Sequence, residues 1–145
     1  METNLRGSFL VACAVIRAVL GNPDRGLSIV NISSTGAHQG LASEPNSAYS
    51  ASKISLGMLT EQMALEWAPL GVRVNIVVPG LIDTPMLKIM DDDPESGQAF
   101  LDAHVPQRRI GSAEECAARI CFVASDEALH VTGTSHRIDG ARLLA

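Results

Sequence analysis

Tyr49 is the only tyrosine in the 145 residues, and Lys53 follows it four positions on, in Tyr49-Ser50-Ala51-Ser52-Lys53. On a helix, residues at i and i+4 share a face and reach one another. An ammonium beside a phenol favours the phenolate and lowers its pKa from the ordinary value of about 10. That lets a tyrosine exchange a proton near neutral pH. Upstream, Ser33-Ser34 closes a short apolar run, and a serine hydroxyl beside the phenol can hold a substrate oxygen. Ser34 is preferred over Ser33 because it sits later in the turn that leaves the run. Together Ser34, Tyr49 and Lys53 form a proton-transfer site for interconverting an alcohol and a carbonyl. The hydride must come from a carrier, because no side chain can supply one. Taken alone, the Tyr-x-x-x-Lys spacing also fits an ordinary amphipathic helix, so its surroundings decide.

Those surroundings alternate. Leu5 to Leu20 reads as a helix with Leu5, Phe9, Cys13, Ile16 and Leu20 on one stripe, stopped by Gly21, Asn22, Pro23, Asp24 and Gly26. Leu27 to Ile32 reads as a buried strand, and Ser33 to Ser47 as a small-residue loop. Ala48 to Ala68 reads as a long helix ended by Pro69 and Gly71, and Val72 to Val78 as a second buried strand ended by Pro79-Gly80. Leu81 to Gln107 mixes Pro85, Pro94, Gly97 and an acidic run, and reads as a mobile excursion rather than core. Ser112 with Glu115 forms a capping box that opens a helix to about Ala124, and Thr134 to Asp139 reads as a last strand. Buried strands alternating with helices predict an α/β sheet with parallel strands. Ligands of such sheets sit beyond the carboxyl ends of the strands. Ile32 and Val78 are such ends, and the candidate residues follow them.

Asn-Ile-Ser-Ser at 31–34, Ala-Tyr-Ser-Ala-Ser-Lys at 48–53, Val-Arg-Val-Asn at 72–75 and Pro-Gly-Leu-Ile-Asp-Thr-Pro-Met at 79–86 occur in one order. With Thr-Asn-Leu-Arg-Gly at 3–7, Arg-Ile-Gly at 109–111 with Glu115 after it, Ala-Ser-Asp-Glu at 124–127, Thr-Gly at 132–133 and Asp-Gly at 139–140, this pattern resembles the short-chain dehydrogenase/reductase family from Asn4 to about Leu143. The resemblance implies an NAD- or NADP-dependent oxidoreductase acting on a small-molecule secondary alcohol or ketone. It implies that Tyr49 is the general acid/base and that Lys53 assists it and bonds the ribose of the nicotinamide nucleotide. Ser34 would polarise the substrate oxygen, and Asn4 would hold a water that relays protons through Lys53. Pro79 and Gly80 would wall the nicotinamide, with the Ile82 backbone and the Thr84 hydroxyl bonding its carboxamide. The 81–107 excursion would cover the substrate. Homo-dimers or homo-tetramers would form through the helices matching Leu5–Leu20 and Ala48–Ala68, and through the last helix and strand.

One half of the family pattern is missing. A dinucleotide site needs a Gly-rich turn whose N–H groups approach the pyrophosphate. No GxGxxG-like triplet occurs, and neither does the family's Asn-Asn-Ala-Gly stretch. The expected architecture is therefore a single incomplete catalytic domain over 1–145. It is the C-terminal half of a Rossmann-like doubly wound parallel sheet, with about three strands and flanking helices, and the N-terminal βαβ units are absent. Leu27–Ile32 should then expose an edge that would pair with an upstream strand, and the isolated chain should be catalytically dead. The alternative is an inactive fragment that acts at most as an oligomerisation or interaction module. Asp139-Gly140-Ala141 departs from the family's Asp-Gly-Gly ending, so Ala141 is costly if that position needs a positive φ.

Composition sets the outer limits. The chain is 46% apolar and 19% charged, as in a globular domain. A net charge of −5 and 3% aromatics argue against nucleic acid or anionic lipid as partners. No segment reaches membrane-spanning length. Cys13, Cys116 and Cys121 contain no CxxC and suggest a reducing compartment, hence the cytoplasm. Cys116 and Cys121 read as core thiols. His38 reads as a solvated loop residue, and His104, His130 and His136 lack ligand spacing, so no metal is expected. Asp91-Asp92-Asp93 reads as a solvated acidic loop or helix cap. Leu41 and Ala42 suggest a substrate of modest polarity.

Overall fold

A computed structural model describes residues 1–20, 26–40, 46–87 and 93–145. The stop at residues 21–25, the 41–42 pair and Asp91-Asp92 lie outside the described residues. Among the described residues, four α-helices and three strands follow one another as α1 (Ser8–Val19), β1 (Leu27–Ile32), α2 (Ser47–Trp67), β2 (Val72–Pro79), α3 (Pro94–His104), α4 (Ala113–Ala124) and β3 (Ser135–Ile138). The sheet order is β1-β2-β3, parallel throughout, with Leu27 opposite Val72 and Ile76 opposite Ser135. This is the expected α/β half-sheet, each parallel step crossing over through helix. No described helix is long and apolar enough to cross a membrane.

β2 is the centre. Val74, Asn75 and Val77 are fully buried, and Ile76 and Val78 nearly so. Strands covered on both faces carry such continuous apolar runs, and each fully buried valine contributes about 1.5–3 kcal/mol. Val72 and Val74 pack with Ala12, Ile16, Met63 and Ala64, so α1 and α2 cover one face. Arg73 points to the opposite face. Its guanidinium donates to the carbonyls of Val123, Ala124, Ser125 and Val131. These include the last, unpaired carbonyls of α4, where a cation is favoured. Arg73 thus ties α4 to the other face, and the sheet is doubly wound. Asn75 closes the edge towards β3. Its carbonyl oxygen accepts from the Thr134 amide and hydroxyl, and its amide donates to Val131.

Three expectations change. The first helix does not run evenly from Leu5: Glu2–Gly7 is a π-helical turn that leads into α1. The stripe also rotates. Ala12 and Ile16 are buried, whereas Phe9 and Leu20 are exposed. Second, the 81–107 excursion carries α3, with Gly97 and Leu101 buried, and so has packing of its own. Third, Cys116 and Cys121 are not core thiols, since Cys121 is exposed and Cys116 half-buried. Both are apolar enough to fit a helix pattern, but they fall beside rather than under the face that holds Val123.

Candidate active site

The site is assembled where β1 ends and α2 begins. Asn31 and Ser33 anchor the two elements. The Asn31 amide donates to the Thr60 hydroxyl at 2.8 Å, and Thr60 donates in turn to the Leu56 carbonyl. The Ser33 hydroxyl donates to the Lys53 carbonyl at 3.0 Å, and its amide continues the ladder to Val77. Ser33, Asn31 and Thr60 are all buried. Ser33 is therefore the structural serine of the pair.

Ser34 turns the other way. Its Oγ accepts from the Gly36 amide at 3.1 Å and caps the short 3-10 turn Thr35–Ala37. That bond uses a lone pair and leaves the hydroxyl proton available to a ligand. A methyl group placed on Gly36 would lie 3.5 Å from Ser34 Oγ and 3.7 Å from Tyr49 Cε1. The serine hydroxyl and the tyrosine ring thus flank one small space, kept open by a glycine. Tyr49 is 40% exposed there. Lys53 Nζ lies 5.8 Å from the centre of the Tyr49 ring and donates to the Ile32 carbonyl at 2.8 Å. Burial lowers the Lys53 pKa from the ordinary lysine value.

Asn4 joins from the π-helical turn. Its amide donates to Ser52 Oγ at 3.1 Å, and Ser52 donates to the Tyr49 carbonyl at 2.6 Å. The Asn4 carbonyl accepts from Ser8 Oγ. Single π-type turns inside helices recur at functional sites. Here the turn brings Asn4 to the first turns of α2, next to Lys53 in sequence through Ser52. Sequence reasoning does not single out Ser52, Ser33, Asn31 and Thr60 as positioning residues. A polar residue at a period that points into the core is the signal that could find them.

Pro79 closes β2, and Gly80, Ile82 and Thr84 lie beyond its carboxyl end. Gly80 donates to the Ile138 carbonyl at 2.8 Å, and a Cβ on it would meet Asp139 Cα at 2.8 Å. Only glycine fits that approach. Ile82 pairs with Gly111 in a parallel bridge made by the Asp83 amide and the Leu81 carbonyl. The bridge uses none of Ile82's own backbone groups. The Thr84 hydroxyl is exposed and makes one long bond, 3.4 Å to the Ile82 carbonyl. A polar backbone strip with open groups, a flat proline and a side-chain-free glycine fit an amide-bearing ring. Among the described residues, no cluster of His, Cys, Asp or Glu could hold a metal ion.

Residues 1–141 match a family model described as enoyl-(acyl carrier protein) reductase. A glucose 1-dehydrogenase from Gluconobacter oxydans is 38% identical over 144 residues, which is 99% of this chain and 53% of that protein. A 3-oxoacyl-(acyl-carrier-protein) reductase FabG from Salmonella typhimurium is 37% identical over 97% of this chain and 54% of its own. Among solved structures, an Agrobacterium tumefaciens protein named for 2-deoxy-d-gluconate 3-dehydrogenase, with bound NADP, superposes with a TM-score of 0.89 at 32% identity. It is matched over 100% of this chain and 57% of that one. A levodione reductase gives 0.85 at 34% identity, over 98% and 55%. The chain spans about half the length of the curated relatives it matches.

Proposed function

Since this chain belongs to the short-chain dehydrogenase/reductase family, we propose that it carries the proton-handling half of an NAD(P)-dependent oxidoreductase interconverting a secondary alcohol and a ketone. The observation that carries this reading is the space over Gly36, flanked by Ser34 Oγ and the Tyr49 ring with Lys53 beside them. In the reducing direction, Ser34 donates its free hydroxyl proton in a hydrogen bond to the ketone oxygen and orients it. Tyr49 Oη gives its proton to that oxygen as the alcohol forms. The Lys53 ammonium faces the negative charge left on the ring, and Asn4, held through Ser52, would hold a water that returns a proton to Lys53. A bound nicotinamide, NAD or NADP, supplies the hydride to the carbonyl carbon. Pro79, Gly80, Ile82 and Thr84 would hold its ring and carboxamide. The cytoplasm is the compartment this reading assigns, in keeping with three unpaired thiols.

A second reading rests on another observation. Ile54, Met58 and Leu65 form an exposed apolar stripe along α2, with Met58 65% exposed. Stripes of this kind mark association surfaces. They support pairing with further copies of the chain, or with longer relatives, whether or not it turns over.

The test is complementation. The purified chain is assayed with NADH or NADPH and a simple ketone, alone and after co-expression with the part of the Gluconobacter oxydans relative that it does not cover. We expect no turnover alone and measurable turnover in the complex. Tyr49→Phe should lower the turnover of the complex by about 100- to 10,000-fold. Full activity of Tyr49→Phe in the complex would remove the tyrosine from the mechanism.

A further inference from the structure

The turn that follows β1 closes on itself. Ser34 Oγ accepts from the Gly36 amide at 3.1 Å, and the Ser34 carbonyl accepts from the Ala37 amide at 3.0 Å. The Thr35 carbonyl accepts from the His38 and Gln39 amides, at 2.9 and 3.1 Å. Thr35 is 3% exposed, so the turn is seated against the molecule. One polar atom in it stays unanswered. Gln39 Oε1 is buried, and among the described residues nothing donates to it. A buried acceptor without a donor is costly, and native structures leave few of them. Glutamine has a long, flexible side chain that can reach water. Here Gln39 is only partly buried as a residue, yet its oxygen is turned inward.

The geometry of the turn relates this atom to the candidate site. Thr35–Ala37 is a 3-10 turn, and in such turns side chains three residues apart eclipse one another. Gln39 follows Gly36 by three, and its amide extends the turn by one more bond. It therefore projects on the side to which position 36 would point a side chain. That side is the space 3.5 Å from Ser34 Oγ and 3.7 Å from Tyr49 Cε1. Because position 36 is a glycine, nothing on the turn itself stands between the Gln39 carboxamide and that space. An oxygen takes an O–H or an N–H donor. Turned over, the amide would present N–H groups in its place. A hydroxyl answers both orientations, because it donates and accepts; an ammonium answers only the first and a carbonyl only the second.

We propose that Gln39 is a specificity-determining residue whose carboxamide binds a hydroxyl on the carbon next to the substrate carbonyl, so that the site takes hydroxyketones in preference to plain ketones. This rests on the oxidoreductase reading above for the ligand being a ketone, but not for the unpaired amide. With the carbonyl oxygen at Ser34 and Tyr49, a hydroxyl one carbon away stays within the same small space. A site that hydrogen-bonds a substrate hydroxyl discriminates against the analogue without it, because its own buried group is then left unpaired. Proton transfer at Tyr49 does not involve the amide, so the effect falls on the choice between substrates.

Hydroxyacetone and butanone test this, since they differ by a hydroxyl in place of a methyl at nearly equal size. In the complemented complex, the ratio of kcat/KM for hydroxyacetone to that for butanone should fall about tenfold in Gln39→Leu, the size that one buried hydrogen bond implies. The butanone value itself should stay within about twofold of the parent, since leucine keeps the bulk and adds no polar group. The ratio compares two substrates on one preparation, so a loss of folded protein cancels. A ratio unchanged by Gln39→Leu would overturn the proposal. Binding is read separately by NMR of the full chain without cofactor. The side-chain amide signal of Gln39, identified by its absence in Gln39→Leu, should move with hydroxyacetone and hold with butanone. A signal moved by neither, or by both alike, would also overturn it. If Tyr49→Phe proves fully active in the complex, the oxidoreductase reading fails, whereas the amide signal still decides whether Gln39 binds a hydroxyl.

Discussion

At Ala141 the backbone holds φ +69, where a Cβ crowds the neighbouring carbonyl and glycine is at ease. Two residues before the turn's end, this strain is sustained by the Asp139 carboxylate, which accepts from the Ala141 amide. Ala141→Gly should therefore raise stability by about 1 kcal/mol, the usual size of that crowding, read as a higher urea midpoint with an unchanged slope. Gly80 is the opposite case: Gly80→Ala should cost about 1–3 kcal/mol, because the atom it meets is backbone and cannot turn aside. The departure from Asp-Gly-Gly was visible in the residue types. That it falls on a positive φ was visible only once the turn was built. The catalytic candidates divide the same way. Tyr49, Lys53 and Ser34 stand out because their chemistry is unusual at that spacing. Asn31, Ser52 and Thr60 are ordinary polar residues whose worth lies in being buried and paired.

At the scale of elements, α4 shows how local signals survive folding. Ser112 and Glu115 form the reciprocal capping box that their spacing announces. Glu115 also receives a two-pronged contact from Arg109, at 2.6 and 2.8 Å. The Arg109 guanidinium, with the Ser112 amide, holds the Glu115 carboxyl at about 2, well below the ordinary carboxylate range. A carboxylate with a depressed folded-state pKa contributes its stability fully above the unfolded value, and loses it as pH falls through the folded one. The contribution of Glu115 should thus fade from about pH 4.3 down to about 2. In Glu115→Gln, the slope of stability against pH should flatten across that window, which acid titrations followed by circular dichroism will show. A slope equal to that of the parent would mean that Glu115 is not the group responsible. α1 and the Leu81–Gln107 segment were harder to read. At α1, a π-helical turn shifts the face of everything after it. The Leu81–Gln107 segment has the composition of a loop because its prolines and acidic residues include the cap signals for α3, with Asp93 at the N-cap and Pro94 in its first turn.

For the molecule as a whole, the sheet has one deeply buried strand and two outer ones. β1 is an apolar strand, Leu-Ser-Ile-Val-Asn-Ile, yet only Asn31 in it is buried, and Ile32 is exposed. Among the described residues it pairs with β2 alone. An apolar strand with an open edge is a pairing surface. The relatives described above carry nearly as much chain again outside the matched region, length enough to supply a strand beside it. The exposed stripe of α2 adds another surface. At micromolar concentration the chain should sediment as a dimer or larger species, and Met58→Glu should shift it towards the monomer. Sedimentation velocity of both will show this, and a parent chain that is already monomeric would contradict it.

What the residues determined on their own was the layering, and with it a candidate chemistry to propose. Tyr49, Lys53 and Ser34 are the residue types and spacing that the proposed proton transfer needs. The alternation of apolar runs with helical periods specifies a parallel α/β sheet because each pattern can bury its apolar face in only one way. Tertiary structure decided that Ser33 is buried against α2 while Ser34 caps the next turn, how Asn4 reaches α2 through Ser52, and that Arg142 lies over the Phe100 ring of α3. Each of these depends on the approach of segments far apart in sequence, where close packing and hydrogen bonding in the interior select one arrangement from several that local preference would allow.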